Sequence, residues 1–298
     1  MSIKYTNIVK NLSSLVPFVG PEAQERNLKK VFDARIGANE SVFGPSSKAI
    51  SAMNDEIKNT WKYADPENYD LKLVLAKKHQ VNFNNIVVGE GIDGLLGYLV
   101  RMFVEKDDDV VTTDGAYPTF NYHVEGFGGK LHKVPFKNDK EDLDKLLLKV
   151  KQTSAKLLYV SNPNNPMGTI NTKTSIENLI SNLPKETLLC LDEAYADFLP
   201  SENIPDILEN TPNVIRMRTF SKAWGLSGIR LGYMIANNKI CNYVSKCRSL
   251  VETNSFSFQV ALWALNNKKI LKDHVSQVKQ GSKYIKKKFT LAGDIFHG

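Results

Sequence analysis

The chain has 298 residues, of which 42% are hydrophobic and 24% charged, so it is long enough for one large α/β domain and part of a second. No apolar run reaches the roughly 20 residues of a membrane-spanning helix, and residues 1–20 lack the layout of a secretory signal, so we expect a cytoplasmic location and no membrane partner. The net charge of +7 comes from scattered lysines without an aromatic-interleaved basic stripe, which argues against a nucleic-acid partner.

The cysteines and histidines do not form a recognisable set of ligands. The three cysteines, Cys190, Cys241 and Cys247, are too widely spaced for a CxxC motif and suggest no disulfide framework. The five histidines lack metal-ligand spacing. We therefore expect no metal ion, and structural or surface roles for these residues.

Short apolar segments alternate with helical segments between residues 81 and 236. The predicted strands are 86–88, 110–112, 157–160, 188–191, 214–215 and 233–235. The predicted helices are 95–104, 143–150, 175–183, 257–265 and 270–289. Buried strands alternating with helices predict a doubly wound α/β domain with a mainly parallel sheet. Such a sheet binds its ligand at the carboxyl ends of the strands.

The loops after the first two predicted strands are the first candidate ligand contacts. The glycine-rich turn 89–94 opens a helix, whose free backbone N–H groups and positive dipole end suit a phosphate, although many such turns bind nothing. The second strand is followed by Tyr117-Pro118-Thr119-Phe120. An aromatic ring here either covers a planar ligand or packs in the core.

The next two predicted strands end in polar residues. Residues 161–168 carry two Asn-Pro pairs and a glycine, which predicts a stiff turn that aims Asn165 at a ligand oxygen. Asp192 ends a buried strand, where a carboxylate is costly to desolvate unless it meets a cation. That cation is either the protonated pyridine nitrogen of a ligand or an arginine of the protein.

The loop after the strand at 214–215 is the richest in chemical groups. Residues 219–232 contain Thr219, Ser221, Lys222 and Arg230 together with three closely spaced glycines. Hydroxyls and arginine are common partners of phosphate, and a lysine beside them is able to form a Schiff base. An exposed surface loop would explain the lysine but not its neighbours.

These strand-end groups together supply the roles that pyridoxal 5′-phosphate (PLP) requires. They offer a phosphate cup, a ring cover, a donor to the ring hydroxyl, a counter-ion for the ring nitrogen and an amine for the aldehyde. We therefore predict PLP as the cofactor.

Four motifs carry a resemblance to a known family. They are Asn39-Glu40-Ser41-Val42-Phe43-Gly44-Pro45-Ser46, Asn165-Pro166-Met167-Gly168, Leu191-Asp192-Glu193-Ala194-Tyr195 and the stretch from Ser221-Lys222 to Arg230. Residues 15 to about 265 resemble the fold-type I PLP-dependent aminotransferases of class I/II, and within them the histidinol-phosphate aminotransferase group. The resemblance implies the PLP-transferase large domain. It also implies transfer of an amino group from a small-molecule donor to a 2-oxo acid such as 2-oxoglutarate.

The resemblance implies a role for each residue at the ring. Lys222 is the implied Schiff-base lysine and proton shuttle, and Asp192 the implied partner of the pyridinium nitrogen. Asn165 and Tyr195 are implied to bond the ring hydroxyl oxygen, Tyr195 as a third catalytic residue. Phe120 stands where the family stacks an aromatic ring on the cofactor.

The remaining implied residues bind phosphate or substrate. The residues implied to bind the cofactor's phosphate are Gly91, Ile92, Asp93, Thr219, Ser221 and Arg230. Tyr63 matches a tyrosine that reaches the phosphate of the neighbouring subunit, which implies a homodimer with shared active sites. Asn39 and Phe18 are the implied substrate positions.

The resemblance also divides the chain into domains. It implies an N-terminal arm (1–38), a PLP-binding large domain (39–250) and the start of a C-terminal small domain (251–298). Family members continue further and carry there the arginine that clamps the substrate carboxylate. We therefore expect an incomplete small domain, and we identify no such arginine in this sequence.

Three departures from the family pattern leave the substrate open. Phe18 replaces a tyrosine that touches substrate phosphate, Ser41-Val42-Phe43 replaces Asn-Pro-x, and Phe120 replaces a tyrosine. An aromatic or other amino acid is thus an alternative donor. A decarboxylase of amino-acid phosphates and a non-enzymatic PLP-binding domain are alternatives on the same scaffold. A nucleotide-binding protein fits less well, since GxGxxG and GxxxxGK[ST] are absent.

Overall fold

The computed structural model describes residues 3–13, 19–206 and 211–292, with side chains described to residue 289. These residues contain a sheet of seven strands in the order β1-β7-β6-β5-β4-β2-β3. The strands are β1 (Ile86–Gly89), β2 (Asp109–Thr113), β3 (Lys130–Val134), β4 (Leu157–Ser161), β5 (Leu188–Asp192), β6 (Val214–Thr219) and β7 (Gly232–Ile235).

Helices connect and cover these strands. They are α1 (Asn7–Asn11), α2 (Pro21–Leu28), α3 (Ser47–Glu56), α4 (Tyr69–His79), α5 (Gly91–Phe103), α6 (Pro118–Gly126), α7 (Leu143–Thr153), α8 (Lys173–Asn182), α9 (Asn238–Cys247), α10 (Ser255–Asn266) and α11 (Lys268–Ala292). None of the described helices has both the length and the apolar character needed to cross a bilayer.

Helix starts coincide with residues that satisfy free backbone N–H groups. The side-chain oxygens of Ser46, Asp142, Thr172 and Asn254 each accept a hydrogen bond from the backbone of the first turn of α3, α7, α8 and α10. Such caps contribute about 1 kcal/mol each. They explain why these helices begin where they do.

The sheet is mainly parallel, as predicted. Strand β7 alone runs against its neighbours, pairing antiparallel with both β1 and β6. The register sets Gly232 opposite Gly89 of β1 on one side and opposite Thr219 of β6 on the other. The carboxyl ends of β1 and β6 therefore lie on the same side of the sheet, at either side of the first residue of β7.

The sheet is covered on both faces because successive strand residues point in opposite directions. In β4, Leu157 and Tyr159 pack in a core with α5, α6 and α9, whereas Leu158 and Val160 pack in a core with α7 and α8. A third core joins β1 and β7 to α3, α4 and α10. This is the doubly wound arrangement that the alternating elements predict.

Residues beyond 250 pack against the same body. Phe258 and Val260 of α10 lie in the core with Leu71 and Leu75 of α4. On α11, His274 is buried and its Nδ1 lies 3.2 Å from the Ala223 carbonyl oxygen. The chain after residue 250 thus touches the loop that contains Lys222, and the domain boundaries at residues 38 and 250 stay predictions.

Candidate active site

The carboxyl ends of β4, β5 and β6 meet at one cavity of about 610 Å³, a usual size for a small-molecule site. Its wall contains Asn165 after β4, Asp192 and Tyr195 at the end of β5, and Lys222 after β6. Residues 37–40 close another side of the cavity. The parallel register thus brings together groups that are far apart in the sequence.

One end of the cavity is suited to a phosphate. Ile92 and Asp93, in the first turn of α5, line it together with Thr219, Ser221 and Arg230. The first turn of a helix presents unpaired N–H groups and a positive dipole end, which favour an anion. The Arg230 guanidinium adds a full positive charge, and the two hydroxyls lie 3.0 Å apart.

Two glycines allow this close approach. Gly91 has φ +88°, and a Cβ there would lie 2.7 Å from Nη2 of Arg230. A Cβ on Gly232 would lie 2.8 Å from the backbone nitrogen of Ile92. Real Cβ atoms do not come so close to backbone atoms, so glycine at 232 allows β7 to pack against the start of α5, and glycine at 91 leaves room for the Arg230 guanidinium in its present position.

The cavity wall also contains a buried carboxylate. Asp192 Oδ2 accepts a 2.6 Å hydrogen bond from the Tyr159 hydroxyl, and Oδ1 accepts one of 2.9 Å from the Ala194 backbone N–H. In the described part of the chain Asp192 forms no ion pair, so the arginine partner that was one alternative is absent there. Burial raises the pKa of the Asp192 carboxyl. A cationic ring nitrogen in the cavity would compensate for that burial.

Lys222 lines the same cavity and is half-buried. Its Nζ donates to the carbonyl oxygens of Ala38 at 3.1 Å and Asn39 at 3.4 Å. Burial lowers the pKa of this amine, and the Arg230 guanidinium adds to the effect, against the opposing charges of Glu40 and Asp192. A depressed pKa increases the neutral fraction of the amine, which is the form that attacks an aldehyde or removes a proton.

Tyr195 and Asn165 lie at the cavity wall, where a ring hydroxyl would need donors. The Tyr195 hydroxyl accepts a 3.0 Å hydrogen bond from Nδ2 of Asn39, and burial raises the pKa of this phenol, which keeps it protonated. Asn165 is tied to β4 by its backbone N–H, 3.4 Å from Oγ of Ser161. Asn39, a predicted substrate residue, therefore contacts a predicted catalytic one.

The structure corrects the expected place of Phe120. Helix α6 begins at Pro118, so Phe120 in its first turn faces the core, where it is fully buried and stacks on Tyr159 with ring centroids 4.4 Å apart. Tyr117, the residue before the helix, lines the cavity instead. Phe120 thus follows the alternative of core packing, and we now expect Tyr117 to be the residue that covers the ring.

The cavity wall does not include the predicted residue Tyr63. Its side chain is 88% exposed, and its role at a neighbouring subunit stays a prediction. Phe18 lies outside the described residues.

Sequence reasoning missed Tyr159 and Glu40 as parts of the site. Tyr159 lies within the apolar run 157–160, where it was taken for a core residue; a buried tyrosine hydroxyl needs a partner, and that requirement was the available signal. Glu40 lines the cavity and is held by the Arg35 guanidinium at 2.9 Å. Glu40 stands next to Asn39 in the same motif, and nothing in the sequence indicated that its side chain would also line the cavity.

Tyr117 and Phe120 are distinguished by a pair of substitutions. We expect Tyr117→Ala to raise the PLP dissociation constant by about two- to tenfold, the range of a lost aromatic stacking contact. Phe120→Leu should change it less and instead lower the free energy of unfolding by about 1–2 kcal/mol, since it removes buried volume. Titration of PLP into cofactor-free protein, with thermal unfolding, measures both. A larger affinity loss for Phe120→Leu would restore the original expectation.

Comparisons with known proteins identify the family of this chain. The sequence profile of the family "Aminotransferase class I and II" matches residues 34–295. The chain belongs to the class I and II aminotransferases. The predictions of a transaminase, of its PLP-transferase fold and of PLP as the family's cofactor are thereby confirmed.

Within this family, the chain is similar to several histidinol-phosphate aminotransferases. A protein of Hydrogenovibrio crunogenus named histidinol-phosphate aminotransferase 2 is 33% identical over 87% of this chain and 69% of its own length. A histidinol-phosphate aminotransferase of Desulfotalea psychrophila is 30% identical over 94% of this chain and 75% of its own. The crystal structure of the Sinorhizobium meliloti histidinol-phosphate aminotransferase with PLP superposes with a TM-score of 0.94 and 42% identity, covering 98% of this chain and 79% of that one.

Proposed function

We propose that this aminotransferase takes the amino group of histidinol phosphate or a similar amino-alcohol phosphate and passes it to a 2-oxo acid such as 2-oxoglutarate. The names of the relatives at 30–42% identity support the donor. The observation that carries the chemistry is that Lys222, Asp192 and Arg230 line a single cavity. When bound, PLP supplies an electron-accepting ring for the carbanion formed at the substrate.

The residues of the chain divide the work around that ring. We propose that Arg230 and the first turn of α5 hold the phosphate, and that Asp192 keeps the ring nitrogen protonated. Lys222 would hold the cofactor through its aldehyde, and its Nζ, when free and neutral, would take the proton from the donor carbon that carries the amino group. Tyr195 and Asn165 position the ring hydroxyl.

A homodimer belongs to the same proposal. Tyr63 and Trp61 are 88% and 83% exposed, and two such large aromatics near one another in sequence favour a surface that another molecule covers. A second copy of the chain that places Tyr63 at this cavity would account for the exposure. The cytoplasmic location stays a prediction.

A screen of amino donors tests the proposed substrate. The PLP-loaded protein is mixed with histidinol phosphate, with L-phenylalanine and with aspartate, each with and without 2-oxoglutarate. We expect histidinol phosphate to bleach the cofactor's visible absorbance at the lowest concentration, and glutamate to form only when 2-oxoglutarate is present. A preference for phenylalanine would favour the aromatic alternative. Release of carbon dioxide from an amino-acid phosphate without any acceptor would favour decarboxylation.

A further inference from the structure

Tyr159 is a second buried polar side chain in contact with Asp192, the proposed counter-ion of the cofactor. Tyr159 of β4 is fully buried, and its hydroxyl donates to Oδ2 of Asp192 at 2.6 Å. In the register of β4 and β5, Tyr159 pairs with Cys190, two residues before Asp192, so the two side chains are diagonal neighbours on one face. The ring of Tyr159 is clamped by stacking on Phe120.

The hydrogen bond from Tyr159 stabilises the charged form of the buried Asp192 carboxylate. Asp192 carries no ion pair among the described residues, and burial alone disfavours its charged form. A hydroxyl donor stabilises the charged carboxylate and therefore counteracts burial. Burial and the Asp192 charge raise the pKa of the Tyr159 phenol well above its ordinary value, so the phenol stays protonated and remains the donor.

The contact also determines the direction of the carboxylate. An ionised carboxylate has about four acceptor positions, and here the Tyr159 hydroxyl and the Ala194 N–H each take one, on different oxygens. Positions on the cavity side stay available to a ring N–H. With both oxygens tethered, the carboxylate is held in one orientation before the cofactor arrives.

We propose that Tyr159 is a positioning residue of this aminotransferase, which holds Asp192 ionised and oriented toward the ring nitrogen of PLP. The inference rests on the proposed role of Asp192 as counter-ion. Tyr159 belongs to the cavity wall, but its hydroxyl donates to Asp192, so we assign its effect on the cofactor to that contact.

The test compares Tyr159→Phe with Tyr233→Phe as matched control. Tyr233 is also a buried strand tyrosine, with its hydroxyl 2.8 Å from Nε2 of His79, but it packs in the core with α4 and α10. For each full-length variant, the dissociation constants of PLP and of 1-deaza-PLP, in which a C–H replaces the ring nitrogen, are measured by titration. Turnover and thermal unfolding complete the comparison.

We expect Tyr159→Phe to weaken PLP binding by about ten- to a hundredfold, as for loss of a hydrogen bond to a charged group. Binding of 1-deaza-PLP should stay within about twofold, because Asp192 has no ring N–H to meet there. Turnover should fall by a similar factor while KM for the donor stays unchanged. Tyr233→Phe should alter stability and neither dissociation constant.

The outcomes separate the two claims. Equal loss of affinity for both cofactors in Tyr159→Phe would mean a general structural role and would overturn the proposal for Tyr159. If the unsubstituted protein binds the two cofactors equally well, the pairing of Asp192 with the ring nitrogen fails instead.

If Tyr159→Phe is too unstable to purify, the test uses Tyr159→His in the Asp192→Asn background and compares its PLP affinity with that of Asp192→Asn alone. A further loss of PLP affinity relative to Asp192→Asn would overturn the proposal, and no further loss supports it.

Discussion

Replacing Lys222 with alanine is expected to abolish covalent attachment of PLP and to reduce turnover by at least about two to four orders of magnitude, the range for loss of proton transfer alone. The amine is the only lysine in the cavity wall of the described residues. Its position is fixed by the Ala38 and Asn39 carbonyls, and burial already favours its neutral form.

Borohydride reduction followed by intact-mass and peptide analysis measures this directly. The matched control is Lys72→Ala, since burial also lowers the pKa of Lys72 but its side chain lies over the Phe83 ring, away from the cavity. The control should keep full adduct and near-normal turnover. A reduced protein–PLP adduct at full yield in Lys222→Ala would show that another amine holds the cofactor.

Substitution of Asp192 is expected to have the second largest effect. Asp192→Ala should lose about 3–4 kcal/mol of transition-state stabilisation, on the scale of one preorganised electrostatic contact, so kcat falls by about two to three orders of magnitude. Asp192→Asn should lose a similar amount although it keeps the size of the side chain, because it removes the charge. Near-normal turnover in either variant would contradict the counter-ion role.

Stability of the cofactor-free protein provides the control for this prediction. Because Asp192 has no cationic partner in the described residues, its ionised form destabilises the fold, and Asp192→Asn should unfold at the same or higher temperature than the unsubstituted protein. The sign follows from the raised pKa of Asp192. The destabilisation is fully present above the raised value and disappears as pH falls toward the ordinary pKa. A lower unfolding temperature for Asp192→Asn at neutral pH would indicate a structural role.

Much of the sheet was predictable because its central strands are continuous apolar runs. Strands β4 and β5 are buried throughout, which the runs 157–160 and 188–191 indicated. Strand β3 was missed, since Lys130, His132 and Lys133 interrupt its apolar pattern. It forms the edge of the sheet, where one side needs no apolar cover. The antiparallel direction of β7 was equally invisible, because strand direction depends on the connection rather than on composition.

The site was predictable to the level of loops, and less so to the level of side chains. Asp192 and Lys222 reach the cavity because Asp192 ends β5 and Lys222 follows β6 by three residues, and strand ends are readable in the sequence. Arg230 lies just before β7, in the same loop as Lys222. Phe120 was expected at the ring but lies in the core, and Tyr117 lines the cavity instead, because α6 begins at Pro118 and turns Phe120 inward. Tyr159 required knowledge of the register between β4 and β5, which only the folded sheet provides.

The hydrogen bonds from Lys222 to Ala38 and Asn39 join positions more than 180 residues apart in the chain. Both acceptors are peptide carbonyls, so no exchange of side chains at 38 or 39 removes them; only a displacement of the main chain does. The leading segment is for that reason an integral wall of the reaction centre rather than an appendage. Contacts that hold residues 37–40 against the rest of the protein therefore also determine how rigidly Nζ of Lys222 is positioned.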